Sequence, residues 1–326
     1  MFRSIKNKIN ACPTAMSGLA LGIATLGWCW DNTPWLSGSG QLIGAVIASV
    51  LLIIITAKFT INFSALKREL MHPVIGSVIP TFSMGIMVVS NSLGKVDILL
   101  GDSLWLIALI LHCIFLMVFA YHRVAEFKLH HLLPSWFVPP VGLIVAAVSF
   151  SGTPNLYGLA ITALNFGLTA YAVLLPLMLY RLIFCEKIPL EAKPTIAILA
   201  APASLCLAGY LSIIAIPSAI VVTLLAGIAC LMTLVVYFSF FHLLRLPFSY
   251  GYAAFTFPMV ISATALFKMV TWLETFNINT IQIKPIIDLA YLELLIASVI
   301  VLYVVICYAI NLMGVVRKIN VDFTLT

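Results

Sequence analysis

Charged residues are scarce in this chain of 326 residues, and their scarcity excludes a soluble fold. Asp, Glu, Lys and Arg together make up 9% of the sequence, whereas a soluble domain carries about 25%. Hydrophobic residues make up 63%, and the mean hydropathy is +1.16. No soluble fold can bury that much apolar surface, so the composition predicts an integral membrane protein.

The sequence also lacks the motifs that carry catalysis, metal binding and ATP hydrolysis. It contains no G-x-S-x-G, no P-loop and no H-E-x-x-H, which are signatures of common catalytic sites. The seven cysteines include no C-x-x-C pair, so their spacing fits neither a zinc site nor a disulfide framework. We therefore predict no enzyme, no cofactor, no metal site and no nucleic-acid partner. Any transport is expected to be passive or driven by a gradient.

Ten apolar segments are marked as membrane spans, of which the fifth is short. A helix needs about 20 apolar residues to cross a hydrocarbon core of about 30 Å. We predict an all-α integral membrane protein with a single transmembrane domain over residues 1–326. The predicted spans are 11–30, 39–61, 73–92, 101–124, 136–151, 155–184, 194–216, 218–244, 249–272 and 285–313.

Proline recurs in every second span. Pro13, Pro80, Pro140, Pro202 and Pro258 are 67, 60, 62 and 56 residues apart. Proline removes one backbone hydrogen bond and kinks a helix, and irregular backbone survives at membrane depth only where protein or a water-filled cavity covers it. The pattern predicts five helical hairpins, with five proline-kinked inner helices around a central pore and five straight helices outside.

Small and hydroxyl residues beside these prolines are the predicted lining of the pore. Broken helices leave unpaired amides, and helix N-termini carry positive partial charge, so such a lining favours anions. The pore-lining candidates are Thr14, Ser17, Gly18, Thr81, Ser83, Pro140, Gly142, Pro202, Ser204, Thr256 and Pro258.

Ionisable residues are rare in the predicted spans. Lys268 and Glu293 fall within about two turns of span ends, where long side chains reach the interface, so we expect neutralising Lys268 to matter little. His112 lies well inside the fourth span. An ionisable group at that depth is a functional candidate, but we favour a neutral histidine that hydrogen-bonds a neighbouring helix.

Four segments carry the most specific sequence pattern in the chain. They are PSWFVPPVG (134–142), PTIAILAAPASLCLAGYLSI (194–213), FHLLRLPF (241–248) and AAFTFPMVISATA (253–265). In this order they resemble the start of the fifth helix, the seventh helix, the end of the eighth and the ninth helix of the tellurite-resistance/C4-dicarboxylate transporter family. That family includes bacterial tellurite-resistance proteins and plant slow anion channels. The resemblance extends from Pro13 to the tenth span.

The resemblance implies a function for Phe257. In the family the second aromatic residue of the ninth-helix segment plugs the pore, and Phe257 holds the matching position, with Thr256 in place of the usual serine. A phenyl ring in a narrow pore blocks ions sterically and by dewetting. The resemblance also implies ten helices, small anions as the transported species and a homotrimer with one pore in each subunit.

The sequence leaves three functions open. We favour a passive anion channel, or channel-like transporter, that is gated by Phe257. One alternative is a solute-coupled carrier of C4-dicarboxylates such as malate, or of tellurite or sulfite. Another is a resistance or regulatory protein whose transport is secondary. Conductance that rises without saturation would favour the channel, and saturable exchange would favour the carrier.

The distribution of basic residues predicts the topology. Lys95, Lys268 and Lys284 fall toward one side of the ten predicted spans, and the other 14 of the 17 lysines and arginines fall toward the opposite side. Since lysine and arginine concentrate in cytoplasmic loops, both termini are expected to be cytoplasmic, in the plasma or inner membrane of the cell. Tags at the two termini should be accessible to protease only from the cytoplasmic side. An external terminus would contradict the ten-span count.

Overall fold

The computed structural model describes residues 2–36, 38–125, 127, 129–276 and 278–324. Within these ranges the chain forms α-helices and 3₁₀ helices and contains no β-strand. The α-helices are α1 (Phe2–Asn10), α2 (Met16–Trp30), α3 (Ser39–Ile61), α4 (Phe63–Met71), α5 (Ile75–Val78), α6 (Thr81–Gly94), α7 (Ile98–Ala125), α8 (Val138–Val141), α9 (Val145–Val148), α10 (Tyr157–Phe184), α11 (Ala201–Ile213), α12 (Ala219–Leu243), α13 (Thr256–Glu274) and α14 (Thr280–Thr324). The 3₁₀ helices are Leu129–His131, Pro134–Phe137, Gly142–Ile144, Pro154–Leu156, Leu190–Ala200 and Tyr250–Phe255.

Eight helical stretches of the described chain are long and apolar enough to cross a membrane. Two shorter apolar helices, Met16–Trp30 and Pro134–Val148, accompany them. Each of the ten overlaps one predicted span, and the crossing of the membrane by all ten stays a prediction. The eight long stretches are Ser39–Ile61, Ile75–Gly94, Ile98–Arg123, Pro154–Phe184, Leu190–Ile213, Ala219–Leu243, Tyr250–Glu274 and Thr280–Arg317.

Burial divides these stretches into two sets. In the most apolar windows of Ile75–Gly94, Leu190–Ile213 and Tyr250–Glu274, 67%, 78% and 83% of the residues are buried, while the corresponding shares for the other five lie between 28% and 39%. Most residues of Met16–Trp30 and Pro134–Val148 are also buried. The five buried stretches, called the inner helices below, are those that carry or directly follow the recurring prolines. The other five, the outer helices, expose apolar side chains at the periphery.

The inner helices form a closed ring. Helix α2 contacts α6 on one side and α13 on the other, α6 contacts α9, α9 contacts α11, and α11 contacts α13. Each inner helix also packs against the outer helix that follows it in the chain. The ring therefore has an axis that is surrounded by the irregular helices alone.

The inner helices are interrupted or change helix type beside their prolines. Helix α5 ends and α6 begins on the two sides of Pro80, and the 3₁₀ helix Leu190–Ala200 passes into α11 one residue before Pro202. The 3₁₀ helix Tyr250–Phe255 passes into α13 two residues before Pro258. Proline lacks an N–H group and is tolerated in the first turn of a helix, where that group has no intrahelical acceptor. The prolines thus fix where each regular α-helical half begins.

His112 ties an outer helix to two inner ones. Its Nδ1 lies 3.0 Å from Ser83 Oγ in α6, and its Nε2 lies 2.8 Å from the carbonyl oxygen of Pro139 in α8. Because a carbonyl oxygen only accepts, Nε2 carries the proton and donates it. The side chain is fully buried, so these bonds satisfy a polar group that would otherwise be costly in an apolar interior. This is the interhelical role expected from the sequence.

Glycines allow the inner and outer helices to approach closely. A Cβ atom added at Gly27 of α2 would lie 2.2 Å from the carbonyl oxygen of Gly40 in α3, and one added at Gly44 would lie 2.8 Å from that of Ile23. Since lipid tails are as apolar as the helices, membrane helices associate through such small-residue contacts rather than through a hydrophobic driving force. The contact between α2 and α3 therefore leaves no room for a side chain.

We predict that Gly27→Ala destabilises the protein by about 1–3 kcal/mol, the usual cost of overpacking. Gly227→Ala is the matched control, because no atom lies within 4 Å of a Cβ added there on α12, and surface changes usually cost less than about 0.5 kcal/mol. Thermal unfolding of the two purified variants in detergent measures the difference. Equal stabilities would show that the α2–α3 contact is looser than described.

Candidate functional site

Two cavities lie inside the ring of inner helices. The first, called the apolar cavity, has a volume of about 50 Å³. The second, called the lysine cavity, has a volume of about 60 Å³ and contains Lys268 in its lining. Phe257 and Leu205 line both cavities. The two side chains, one from α13 and one from α11, therefore lie where the cavities meet.

The helix change in the ninth segment sets the direction of Phe257. Phe255 ends the 3₁₀ helix Tyr250–Phe255, and Phe257 is the second residue of α13. Phe255 is fully buried away from the axis, with its ring centroid 5.3 Å from that of Phe240 and 4.6 Å from that of Tyr252. Phe257, two residues further on and about 200° around a helix, faces the cavities instead.

The apolar cavity brings together residues from all five inner helices. Thr81 is the one hydroxyl residue of its lining, and no charged side chain from the described part of the chain contributes to it. Six residues predicted from the sequence line this cavity, namely Gly18, Thr81, Gly142, Pro202, Phe257 and Pro258. Its other lining residues are Leu21, Val78, Met84, Phe137, Val138, Val141, Ile198, Ala201, Leu205, Ala253 and Ala254.

The remaining lining candidates lie in neither axial cavity. Ser204 donates to the carbonyl of Ala200 at 3.0 Å, and Thr256 donates to that of Ala253 at 2.8 Å. Serine and threonine in helices commonly bond to a carbonyl one turn back in this way. Their hydroxyls are thus satisfied by the helix packing rather than presented to the axis. The same holds for Ser17, which donates to a carbonyl three residues back, and for Ser83, whose hydroxyl lies between the Pro80 carbonyl oxygen and His112 Nδ1, while Pro140 is half-buried outside both linings.

Thr14 belongs to a buried ion-pair cluster instead. Lys58 Nζ of α3 lies 2.8 Å from Glu69 Oε1 of α4 and 2.7 Å from Thr14 Oγ1. Thr14 also donates to Glu69 Oε2. The cluster joins the start of the first inner helix to α3 and α4, which makes its role in this structure one of attachment.

The lysine cavity has a more polar lining than the apolar cavity. Lys268 is half-buried there, and no hydrogen bond or ion pair joins its ammonium group to another described residue. Along α13 the residues Phe257, Ile261, Thr264 and Lys268 follow one face of the helix and all line this cavity. The rest of the lining is Thr25, Trp28, Cys29, Asn32, Val88, Val145, Val148 and Leu205.

The sequence analysis missed both Lys268 and Leu205 as lining residues. Lys268 was placed at a span end, yet α13 continues to Glu274 and turns the side chain toward the axis. The spacings of 4, 7 and 11 residues from Phe257 are the helical signal that identifies this face. Leu205 carries no such signal, because an apolar residue in an apolar span is ordinarily a packing residue.

Lys268 makes the axis electropositive. Among the described residues that line the two cavities it is the one charged side chain, and no carboxylate accompanies it. A lone charge with low-dielectric walls attracts counter-ions more strongly than the same charge in water. The electrostatics of the site therefore favour a negatively charged ligand.

The fold and its cavities define an α-helical membrane protein that encloses space on the axis of a ring of irregular helices. A family model described as SLAC1, voltage-dependent anion channel, matches residues 11–316, and the chain belongs to this family. The family consists of anion channels and transporters, and the resemblance drawn from the four sequence segments is thereby confirmed.

Curated relatives agree with this assignment. The chain is 28% and 26% identical to two uncharacterized transporters of Methanocaldococcus jannaschii, over 59% of this chain and 63% and 62% of theirs. It is 26% identical to a tellurite resistance protein TehA homolog of Haemophilus influenzae, over 62% of this chain and 64% of that protein. The chain thus matches less than two thirds of the length of each of these relatives.

Proposed function

We propose that the chain is a passive anion channel, or a channel-like transporter, with a conduction path along the axis of the inner ring. The observation that carries the proposal is the position of Phe257, which lines the apolar cavity and the lysine cavity at their junction. An anion that follows the axis must pass the phenyl ring of Phe257. The side chain of Leu205 faces the same junction and narrows it further.

The proposed arrangement in the membrane has ten crossing helices in five hairpins, with the proline-kinked members inside. The alternation of buried and peripheral stretches along the chain supports it. The two short inner helices have protein around them, which allows irregular backbone at membrane depth. The clustering of 14 of the 17 basic residues on one side favours cytoplasmic termini in the plasma or inner membrane. The lysine cavity then opens toward the outer side.

Selectivity in this proposal comes from Lys268. A unit charge about 10 Å from a passing anion contributes about 1.7 kcal/mol at an effective dielectric constant of about 20. An attraction of this size admits an anion without trapping it, and conduction requires binding that is weak enough to be released. Small inorganic anions fit the proposal best.

The gate in this proposal is the ring of Phe257. With volumes of about 50 and 60 Å³, the cavities hold a few water molecules at most, since one water occupies about 30 Å³ in the liquid. A phenyl ring between two such spaces blocks an ion by its volume and by excluding water. In this proposal the arrangement with the ring between the cavities is the closed conformation, and opening requires a change of rotamer or a shift of α13.

A coupled carrier of C4-dicarboxylates, tellurite or sulfite is the alternative. A dicarboxylate has two negative charges to satisfy, whereas the described lining of the axis contains the single cation Lys268. This difference favours the channel. On the precedent of the family, we extend the proposal to a homotrimer in the lipid bilayer, with one path in each subunit.

We predict that Phe257→Ala raises anion flux at least tenfold per folded molecule, which corresponds to a barrier lowered by about 1.4 kcal/mol. Removing the ring joins the two cavities, so the barrier to the anion falls. The measurement is chloride efflux from liposomes that contain a known amount of purified, monodisperse protein.

Phe255→Ala is the matched control for this experiment. Phe255 packs against Phe240 and Tyr252, and truncating a buried phenylalanine costs about 3–5 kcal/mol of stability. This variant should lower the yield of folded protein without raising flux per folded molecule. Unchanged or reduced flux in well-folded Phe257→Ala protein would rule out the gate.

We predict that Lys268→Met lowers the permeability of anions relative to cations by more than tenfold, because about 1.7 kcal/mol of attraction for the anion is lost, a factor of about 18, and the repulsion of cations is lost as well. Lys284→Met is the control, since Lys284 is exposed on α14 and lines neither cavity. Reversal potentials in asymmetric salt measure the ratio for each variant. Equal effects of the two substitutions would assign the selectivity to the helix termini alone.

A further inference from the structure

A third cavity lies behind the inner ring, between two inner and two outer helices. It has a volume of about 180 Å³ and is enclosed by α11, α12, α13 and α14. Its polar lining consists of one carboxyl group, three hydroxyl groups and one thiol, from Glu293, Ser204, Thr233, Ser262 and Cys230. The other lining residues are Leu207, Ala226, Ala229, Leu234, Ala265, Leu266 and Leu289.

Glu293 lies further from the start of its helix than predicted from the sequence, and it is buried. Helix α14 begins at Thr280, so Glu293 is 13 residues from its start, or about 20 Å along the axis. Only 6% of the residue is exposed. An acidic residue buried between apolar helices is expensive and marks a functional site by default. The prediction that Glu293 reaches the membrane interface is replaced by a buried position between four helices.

The carboxyl group has one strong hydrogen bond and no counter-charge. Tyr237 of α12 donates its hydroxyl to Glu293 Oε2 at 2.6 Å. The titratable groups that face the carboxyl group are Tyr237 and Cys230, both from α12, while α11 and α13 contribute only hydroxyls. No cation from the described residues lies in this lining.

These surroundings can hold the group in either charge state. Tyr237 stabilises the ionised carboxylate, because a phenol donates to it. The apolar walls stabilise the protonated group, since burying an unpaired charge costs far more than burying a neutral carboxyl group. The hydroxyls of Ser262 and Thr233, 3.0 Å from each other, line the same cavity, and a hydroxyl oxygen can accept from a protonated carboxyl group. A group that is supported in both states is suited to bind and release a proton.

We propose that Glu293 is a proton-binding site and that its protonation state controls the gate. The carboxylate takes one proton from solvent and forms one O–H bond, with no other bond changed. Ser262 follows Phe257 by five residues on α13, and Ser204 precedes Leu205 on α11. The cavity thus lies behind the two helices that carry the junction residues, which is why a change of hydrogen bonding there acts on them. The control of the gate rests on the proposed function, whereas proton binding does not.

The lining favours a proton over a metal cation. Oxygen-binding cations such as Ca²⁺ and Mg²⁺ take about six or more oxygen ligands. Here there is one carboxyl group, and one of its oxygens already accepts from Tyr237. No group of three or more His, Cys, Asp or Glu side chains suited to a metal occurs in the part of the chain that the structure describes.

Infrared difference spectroscopy of the full-length protein in liposomes tests proton binding without reference to transport. Besides the bands of the exposed carboxyl groups, a pH step should produce a higher-frequency carbonyl stretching band from a protonated carboxyl group in apolar surroundings, and Glu293→Gln should abolish this band. Glu274→Gln, at the exposed end of α13, is the control and should retain it. Identical spectra for the wild type and folded Glu293→Gln would overturn the proposal.

Tyr237→Phe keeps the test decisive if Glu293→Gln does not fold. The ionised carboxylate loses its donor in this variant, so the midpoint of the band should move to higher pH. An unmoved midpoint would exclude Glu293 as the source of the band. Sodium or calcium that suppresses the band at constant pH would show that a cation occupies the site and would likewise overturn the assignment.

Chloride efflux measured across the same pH range tests the control of the gate. Flux through the wild type should change with pH, while Glu293→Gln should show at every pH the flux of the wild type at low pH. The same pH dependence in both proteins would refute the control. A titrating band in a protein that passes no chloride at any pH, Phe257→Ala included, would refute the proposed function and leave the proton site standing.

Discussion

The structure depends on one constraint, which is that backbone groups released by proline must be covered when the chain lies in a membrane. The inner helices are interrupted beside Pro80, where α5 ends and α6 begins, and change from 3₁₀ to α geometry beside Pro202 and Pro258. Lipid cannot satisfy the freed groups. The inner helices therefore pack against one another in a ring, and the outer helices, which form long continuous α-helices, surround them. The axis and its cavities follow from this division.

Hydroxyl groups in the ring serve the packing more than the axis. Ser204 and Thr256 bond to carbonyls of the preceding turn, and His112 bonds to α6 and α8. The axis is consequently lined mostly by small and apolar side chains, and Lys268 is the one charged side chain among the described lining residues. A lining of this kind gives an anion a favourable potential and few ligands. Such a lining suits the passage of small anions in general better than the selection of one particular anion by its shape and hydrogen-bonding groups.

Two ionisable side chains, Lys268 and Glu293, line different cavities of the helix bundle. Lys268 faces the axis, and Glu293 lies behind it, between α11, α12, α13 and α14. Had the two faced one cavity, the carboxylate would have cancelled the positive potential of the lysine. Because α13 contributes to both cavities through opposite faces, it is the element through which a change at one is felt at the other. The proposed gate residue begins that same helix.

Much of this architecture follows from the sequence by itself. The proline interval, the apolar segments and the side-to-side charge difference predicted a helical membrane protein with proline-marked helices inside, and the four family segments pointed to Phe257. Only the tertiary structure decided which way individual side chains turn. Five of the eleven lining candidates face the axial cavities together with Phe257 and Leu205, whereas Ser17, Ser83, Ser204 and Thr256 do not. The burial of Glu293 between four helices and the orientation of Lys268 toward the axis could not be predicted from the sequence either. The physical reason is that composition and the spacing of prolines determine which helices must be buried. Which neighbour a side chain contacts depends on the rotation of its helix about its own axis, since successive residues are about 100° apart. That rotation is fixed only by packing against neighbouring helices.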